Sequence, residues 1–465
     1  MPRLRYLLFV FSFLFFIRCA SYYKANLEFQ QHFVNNEIDQ ANQVLDEHKE
    51  EETGKNRLLY LLQKGTVLQL LDKYDESNRF FEEAYLYTED YQENYATQAL
   101  SLVTNPTIVP YHGEDFEIVQ IHYFKALNYL MQKQYEEALV ECRRINIKLN
   151  EMNDRYEQRK NRYKTDAFAL NLMGMIFEAT KDYNNAFISY RNAFEAYEQV
   201  YAPSFGIHAP EQLKKDLLRT AYLNGFTEEL NVYEMKFGSN YIHRESENGD
   251  LIIFWNNGLG PVKDEWSINF FIVKGKDGFV TFVNEEYGLS FPFPISSSNE
   301  SSKLSDLKFI RVAFPKFLER KTFYRKALVR LNNNSINFEL GQDINQLAFT
   351  TLEDRMIREF MTSLIRLALK QTGEELIRKK NSNLGALLSL VNAISEKADT
   401  RNWQTLPYSI NYARIPLQEG ENEIEMELFS AQGNLSHKEK FVFEGQKNRA
   451  QFHFFYTLES LPIDH

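Results

Sequence analysis

The sequence predicts an α+β chain, with a helical N-terminal array followed by a β-sandwich-like domain that carries a two-helix insertion. Three observations carry this expectation. Apolar residues recur at three and four from residue 22 to about 237, the period changes to two from about Asp250, and a helical stretch at about 344–398 interrupts the alternation before it resumes. The 465 residues suit two or three domains. Their bounds fall at 1–19 for a leader, 20–240 for the array and 241–465 for the β-rich part.

In the leader, Arg3 and Arg5 precede the apolar stretch Tyr6 to Ile17, and Arg18 and Cys19 follow it. That stretch is too short to span a bilayer and reads as an export signal. A cysteine in this position resembles the lipoprotein processing site, at which the cysteine is acylated and becomes the first mature residue. An ordinary cleavable signal with an incidental cysteine is the alternative. Cys142 is the only other cysteine, so the mature chain has no internal disulfide to make, and lipid attachment is the simplest use of Cys19. By analogy with enteric-type sorting, Ala20 and Ser21 after it imply the outer membrane, facing the periplasm.

The array is read from its register. A tetratricopeptide-type unit packs two antiparallel helices through large apolar, small and aromatic residues at fixed offsets. Leu170, Met173, Gly174, Phe177, Ala186, Tyr190 and Ala193 fill these offsets, and Leu61, Gly65, Leu68, Ser77, Phe81 and Ala84 fill them earlier. Between them lies a unit with Ala126, Tyr129, Ala138, Cys142 and Ile145, and Cys142 takes a buried packing slot rather than a reactive one. The stretch around Ala41 and Leu45 fits a degenerate opening unit, and Leu213, Leu217, Leu218, Tyr222 and Leu223 fit a closing helix. Gly65, Ala126 and Gly174 lie 61 and 48 residues apart, where an unbroken array repeats at about 34. Thr104 to Phe116 and Ala202 to Pro210 read as loops, and the charged run Asp154 to Lys164 as a solvent-facing helix. The concave face of such an array binds segments of partner proteins, with a purely structural stack as the alternative.

In the β-rich part, strands are expected at 251–255, 267–273, 279–283, 307–314, 327–331, 336–340, 408–415, 423–429, 438–443 and 450–456. Arg414, Glu425 and Glu427 alternate as on a half-exposed sheet. The insertion holds two amphipathic runs, Met356, Phe360, Leu364 and Leu367, then Leu384, Leu387, Leu388, Val391 and Ile394, which fit helices covering one face of the sheet.

Two local motifs stand out, Asn257-Gly258-Leu259-Gly260-Pro261-Val262-Lys263-Asp264-Glu265 and Asp399-Thr400-Arg401-Asn402-Trp403-Gln404-Thr405-Leu406-Pro407. With the order of signal, repeats, sheet, helices and sheet, they resemble a family of uncharacterised bacterial lipoproteins with tetratricopeptide-like N-terminal halves. The resemblance implies class and location and brings no activity. Physically both motifs are corners or binding sites: the glycines allow a tight turn, Lys263 can pair with Glu265, Asp399 with Arg401, and Trp403 can anchor the next strand.

A net charge of -11 is the wrong sign for an extended phosphate backbone, so nucleic acid is not an expected partner. No nucleophile elbow, His-Glu-x-x-His helix, phosphate loop or cysteine cluster is present, so no catalytic residue, metal or cofactor is expected. The expectation is a non-enzymatic scaffold or assembly factor that binds protein partners and meets the membrane through its lipid. A regulator of peptidoglycan synthesis is an alternative, and a glycan-active enzyme remains open if the fold brings two carboxylates together in a cleft.

Overall fold

The computed structural model describes residues 24–90, 107, 109–154, 161–243, 248–274, 279–285, 289–294, 309–332, 334–355, 398–447 and 449–463. The leader with Cys19 and both amphipathic runs of the insertion lie outside the described residues.

Among the described residues the array shows five helical hairpins. Their helices are α1 (24–34) and α2 (Ile38–Glu47), α3 (Arg57–Leu70) and α4 (Tyr74–Asp90), α5 (Asp115–Met131) and α6 (Tyr135–Asp154), α7 (Ala167–Ala179) and α8 (Tyr183–Ala196), and α9 (Glu211–Leu223) and α10 (Thr227–Phe237). One turn recurs in all five. Asn36, Asp72, Lys133, Lys181 and Gly225 each have φ between 58° and 69°, and each donates its amide to the carbonyl three residues back while the next residue reaches five back. This left-handed close satisfies the last carbonyls of the first helix and sends the chain back along it. The repeat is therefore written in backbone geometry even where the side-chain register is degenerate.

Side-chain size sets the closeness of each hairpin. A Cβ on Gly65 would sit 2.7 Å from the Phe81 ring, and one on Gly174 would sit 2.4 Å from the Tyr190 ring. At the same offset of sixteen, the middle unit has Ala126 and Cys142, both fully buried. A larger residue on the first helix goes with a smaller one on the second. Leu61, Leu68, Ala84, Ala138, Phe177, Ala186 and Ala193 are buried in the same core, and Tyr129 and Leu170 pack partly buried against it.

Between the hairpins, two expectations change. The segment read as an exposed charged helix is helical to Asp154, its residues 155–160 lie outside the described residues, and Asn161 and Tyr163 beyond them are buried rather than solvent-facing. The Tyr163 hydroxyl donates to Asp166, which caps α7 by accepting the Ala169 amide at 2.7 Å. The loop expected from Ala202 begins only at Gly206, because α8 runs on through a π-helical turn at Tyr197–Tyr201 and one further turn. Tyr197 and Tyr201 are fully buried there.

The strands are β1 (Asp250–Asn257), β2 (Val262–Lys274), β3 (Phe279–Asn284), β4 (Leu289–Pro294), β5 (Phe309–Leu318), β6 (Tyr324–Leu331), β7 (Asn334–Asn337), β8 (Glu339–Asp343), β9 (Ser409–Pro416), β10 (Gly420–Ser430), β11 (Leu435–Gly445) and β12 (Ala450–Thr457). A helix at 344–355, α11, follows β8. β4 has no counterpart in the sequence reading, since Pro292 and Pro294 argue against a strand; it sits at a sheet edge, where proline is tolerated.

Among the described residues three sheets form, ordered β12-β1-β9-β8, β11-β10-β6-β7 and β4-β3-β2-β5. The first is the central layer. β1 pairs parallel with β12 and antiparallel with β9, and seven of its eight residues are buried, which explains the unbroken apolar run Leu251 to Trp255. One face, with Leu251, Ile253, Trp255, Ala413, Ile415 and Phe455, packs on Ala327, Val329, Ile424, Met426 and Leu428 of the second sheet. The other, with Ile252, Phe254, Ile410, Tyr412, Phe452 and Phe454, joins the core of the helical array. The sandwich is thus backed by helices, and the molecule has three layers.

Candidate functional site at the helix–sheet seam

The two motifs meet on the seam. The Asn402 side chain donates to the Pro261 carbonyl at 2.8 Å and accepts the Lys263 amide at 3.1 Å, and the Gly260 amide donates to the Leu406 carbonyl at 2.7 Å. Arg320 clamps both, reaching the carbonyls of Gly260 and Gln404. Burial without a counter-charge pulls its guanidinium down to about 9.

Lys263 does not pair with Glu265. It reaches instead into the array to Glu114, whose other oxygen takes Arg355 of α11 at 2.6 Å. Glu265 shares the face of Lys263, two residues along the strand, but accepts the Ala398 amide at 2.7 Å instead. Asp399 and Arg401 do pair, at 2.9 and 2.6 Å, and Arg401 also reaches Asn56 and the Val109 carbonyl. Trp403 is 1% exposed, its ring 5.2 Å from Phe124 and 5.8 Å from Phe81. It anchors the second motif in the array rather than the incoming strand alone.

Glu114 caps α5 and forms a reciprocal capping box with Glu117. Glu117 accepts the Tyr111 hydroxyl at 2.5 Å, the Glu114 amide at 3.0 Å and the Trp403 amide at 2.7 Å. Burial works against both charges. Arg355 and Lys263 overcome it at Glu114, holding that carboxyl at about 2, whereas at Glu117 burial and then the Glu114 charge push the carboxyl up to about 7. Two carboxyls with divergent affinities for a proton resemble an acid–base pair. Here Tyr111, Lys263, Arg355 and Trp403 enclose them, and two small cavities among the described residues, beside Phe29 and Tyr60 and beside Tyr123 and Asp166, lie elsewhere.

A second network crosses the seam beyond α7. Arg414 of β9 pairs with Asp250 at 2.6 Å, Glu178 at 2.7 Å and Asp216 at 3.3 Å, and Arg219 pairs with Glu178 at 2.7 Å and Asp216 at 2.5 Å. Arg414 is 8% exposed, not half-exposed as its alternation suggests, because its face of β9 meets helices instead of water. Between the networks, the Tyr197 hydroxyl donates to the Gly341 carbonyl at 2.8 Å and Gln342 to Asp166 at 2.9 Å.

The face lined by the first helices of the hairpins is therefore occupied by the chain's own sheet. Tyr456 donates to Gln69 of α3, Tyr123 of α5 donates to Asn256, and Phe168 of α7 packs on Phe254 and Tyr412, while Tyr74 and Tyr135 at the starts of α4 and α6 pack on Phe454 and Phe452.

No protein-family model matches the sequence, and no curated protein matches it. Among solved structures, the chain is similar to apo RapI, with a TM-score of 0.34 and 13% identity over 46% of this chain and 52% of that one. It is similar to MamA from Desulfovibrio magneticus RS-1, with a TM-score of 0.29 and 15% identity over 46% and 92% of the two chains. A kinesin light chain from Podospora anserina with nearly identical TPR-like repeats gives a TM-score of 0.29 and 10% identity over 47% and 95%. The tetratricopeptide-like character of this array stands on its own five turns and small-residue contacts.

Glu114, Glu117, Glu178 and Arg414 were not singled out from sequence as seam residues. Glu114 and Glu117 carry a local signal, the three-residue spacing of a capping box before an apolar run. Glu178 and Arg414 carry none, since their partners come from segments up to 236 residues away.

Proposed function

We propose that the protein is a non-enzymatic envelope lipoprotein, held at the outer membrane by acyl groups on Cys19, that serves as a rigid scaffold for a protein partner. The observation behind this reading is the occupied inner face. An array whose groove is filled by its own sheet has no groove left to offer, so recognition moves to outer surfaces. The last hairpin provides one: Val232 is 53% exposed, Met235 78% and, just beyond it, Ile242 75%. Solenoids normally end in a polar face, and clustered exposed apolar side chains mark interaction surfaces.

Crosslinking in envelope extracts tests this. The wild-type protein is expected to capture a stoichiometric partner that V232E/M235E loses while its melting temperature stays unchanged. Equal capture by both proteins, or none by either, counts against the reading. Mass spectrometry of the mature N-terminus checks the anchor separately, and an unmodified residue other than Cys19 removes it.

A further inference from the structure

Two acidic side chains at one end of the central sheet have no cationic partner among the described residues. Glu319 follows β5, and Asp343 closes β8 and caps α11. Glu319 accepts the Tyr408 hydroxyl at 2.8 Å, and Asp343 accepts the Gln346 amide at 2.9 Å. The Glu319 carboxylate lies close enough to Asp343 to act on its charge. Beside them Asn345 is 1% exposed. Its amide lies next to the Tyr408 hydroxyl but outside full hydrogen-bonding geometry, and neither Oδ1 nor Nδ2 has a partner. A buried amide left without bonds, next to two like charges, is an arrangement the protein alone does not satisfy.

We propose that Glu319, Asp343, Asn345 and Tyr408 form a binding site for a divalent cation of the calcium class. The donors are all oxygen, two carboxylates, an amide carbonyl and a phenol, from three separate segments. Such a set suits hard cations, and without imidazole or thiolate it does not select zinc or copper. Calcium tolerates the irregular geometry of donors from three segments and completes its shell with water, whereas magnesium requires a near-ideal octahedron. With only two carboxylates the affinity belongs to the weak class, a Kd of about 0.1–1 mM. The bound ion ties the end of β5 to the first turn of α11 and to the approach to β9, which is the continuation of the Trp403 motif. Searching the sequence for metal sites by His and Cys spacing passes over it, and among the described residues no group of three His, Cys, Asp or Glu side chains forms a site.

Calcium titration of the full-length protein, followed by calorimetry and melting temperature against magnesium at matched ionic strength, tests the proposal. Calcium is expected to bind and raise the melting temperature, and E319Q and D343N each to weaken binding at least tenfold. Asparagine still caps a helix, so D343N is expected to melt like the wild type without calcium. Terbium emission excited through tyrosine and displaced by calcium locates the ion, and Tyr408→Phe is expected to lower that emission. Undiminished calcium binding in both carboxylate variants, an equal response to magnesium, or no wild-type binding below about 10 mM overturns it.

Discussion

The two faces of the central sheet are built on different principles. Toward the second sheet, the contacting side chains are almost all aliphatic or aromatic, Ile253 and Trp255 against Val329, Met426 and Leu428. Toward the helices, aromatic packing alternates with buried polar groups: Arg414, Asn256, Tyr412 and Tyr456 point from the strands, and Glu178, Asp216, Tyr123 and Gln69 receive or flank them. An apolar face specifies burial but tolerates many partners of the right volume. A face carrying buried charges accepts only the partner that completes them, because a lone buried ion is heavily penalised. The sandwich face supplies cohesion, and the helical face supplies address.

Removing a charge from the addressed face is the largest expected perturbation. Arg414→Ala removes the cation shared by Glu178, Asp216 and Asp250 and is expected to cost about 3–5 kcal/mol in chemical denaturation. A loss below 1 kcal/mol would show that water enters the network and would remove the distinction between the faces. Within the array, Gly174→Ala drives a methyl into Tyr190 and is expected to cost about 1–3 kcal/mol. In a Tyr190→Cys background, which copies the Ala126–Cys142 pairing, the same change is expected to cost less, and a double-mutant cycle reads the difference. On the cohesive face, Ile253→Val is expected to cost only about 0.5–1.5 kcal/mol and to leave the seam's proteolytic protection intact.

The seam also predicts a pH slope. Glu117 has a raised carboxyl in the folded state, about 7 against 4.5, so the fold binds a proton that the unfolded chain has released. Its contribution is present at low pH and is lost as pH rises from about 4.5 to 7. Glu114 acts oppositely in a lower window, with stability lost as pH falls from 4.5 toward about 2. Stability measured between pH 5 and 7.5 is expected to decline less steeply in Glu117→Gln, and an unchanged slope would assign it elsewhere.

The fold was legible wherever periodicity expressed local structure. The small-residue register marked three hairpins, and strict alternation marked β9 to β12. Helix α10 and the full opening hairpin were harder to read because their defining feature is a backbone turn that Asn36, Asp72, Lys133, Lys181 or Gly225 can each make. The seam was legible only in part. Asp399 and Arg401 are two residues apart and can be paired on paper, but Lys263 finds Glu114 across 149 residues, and a strand's own alternation cannot tell whether its polar face meets water or a helix.

The parallel pairing of β1 with β12 joins segments 200 residues apart. All five hairpins precede β1 in the chain, so the helices are complete while the strand that seals Tyr74 and Tyr135 is still unmade. Until residues 450–457 arrive, Tyr74 and Tyr135 lack their native cover. Folding of the chain is gated by one late closure between distant segments, a slow step because long loops must close before any contact rewards them. Deleting β12 should therefore lower yield through aggregation far more than its eight residues would suggest.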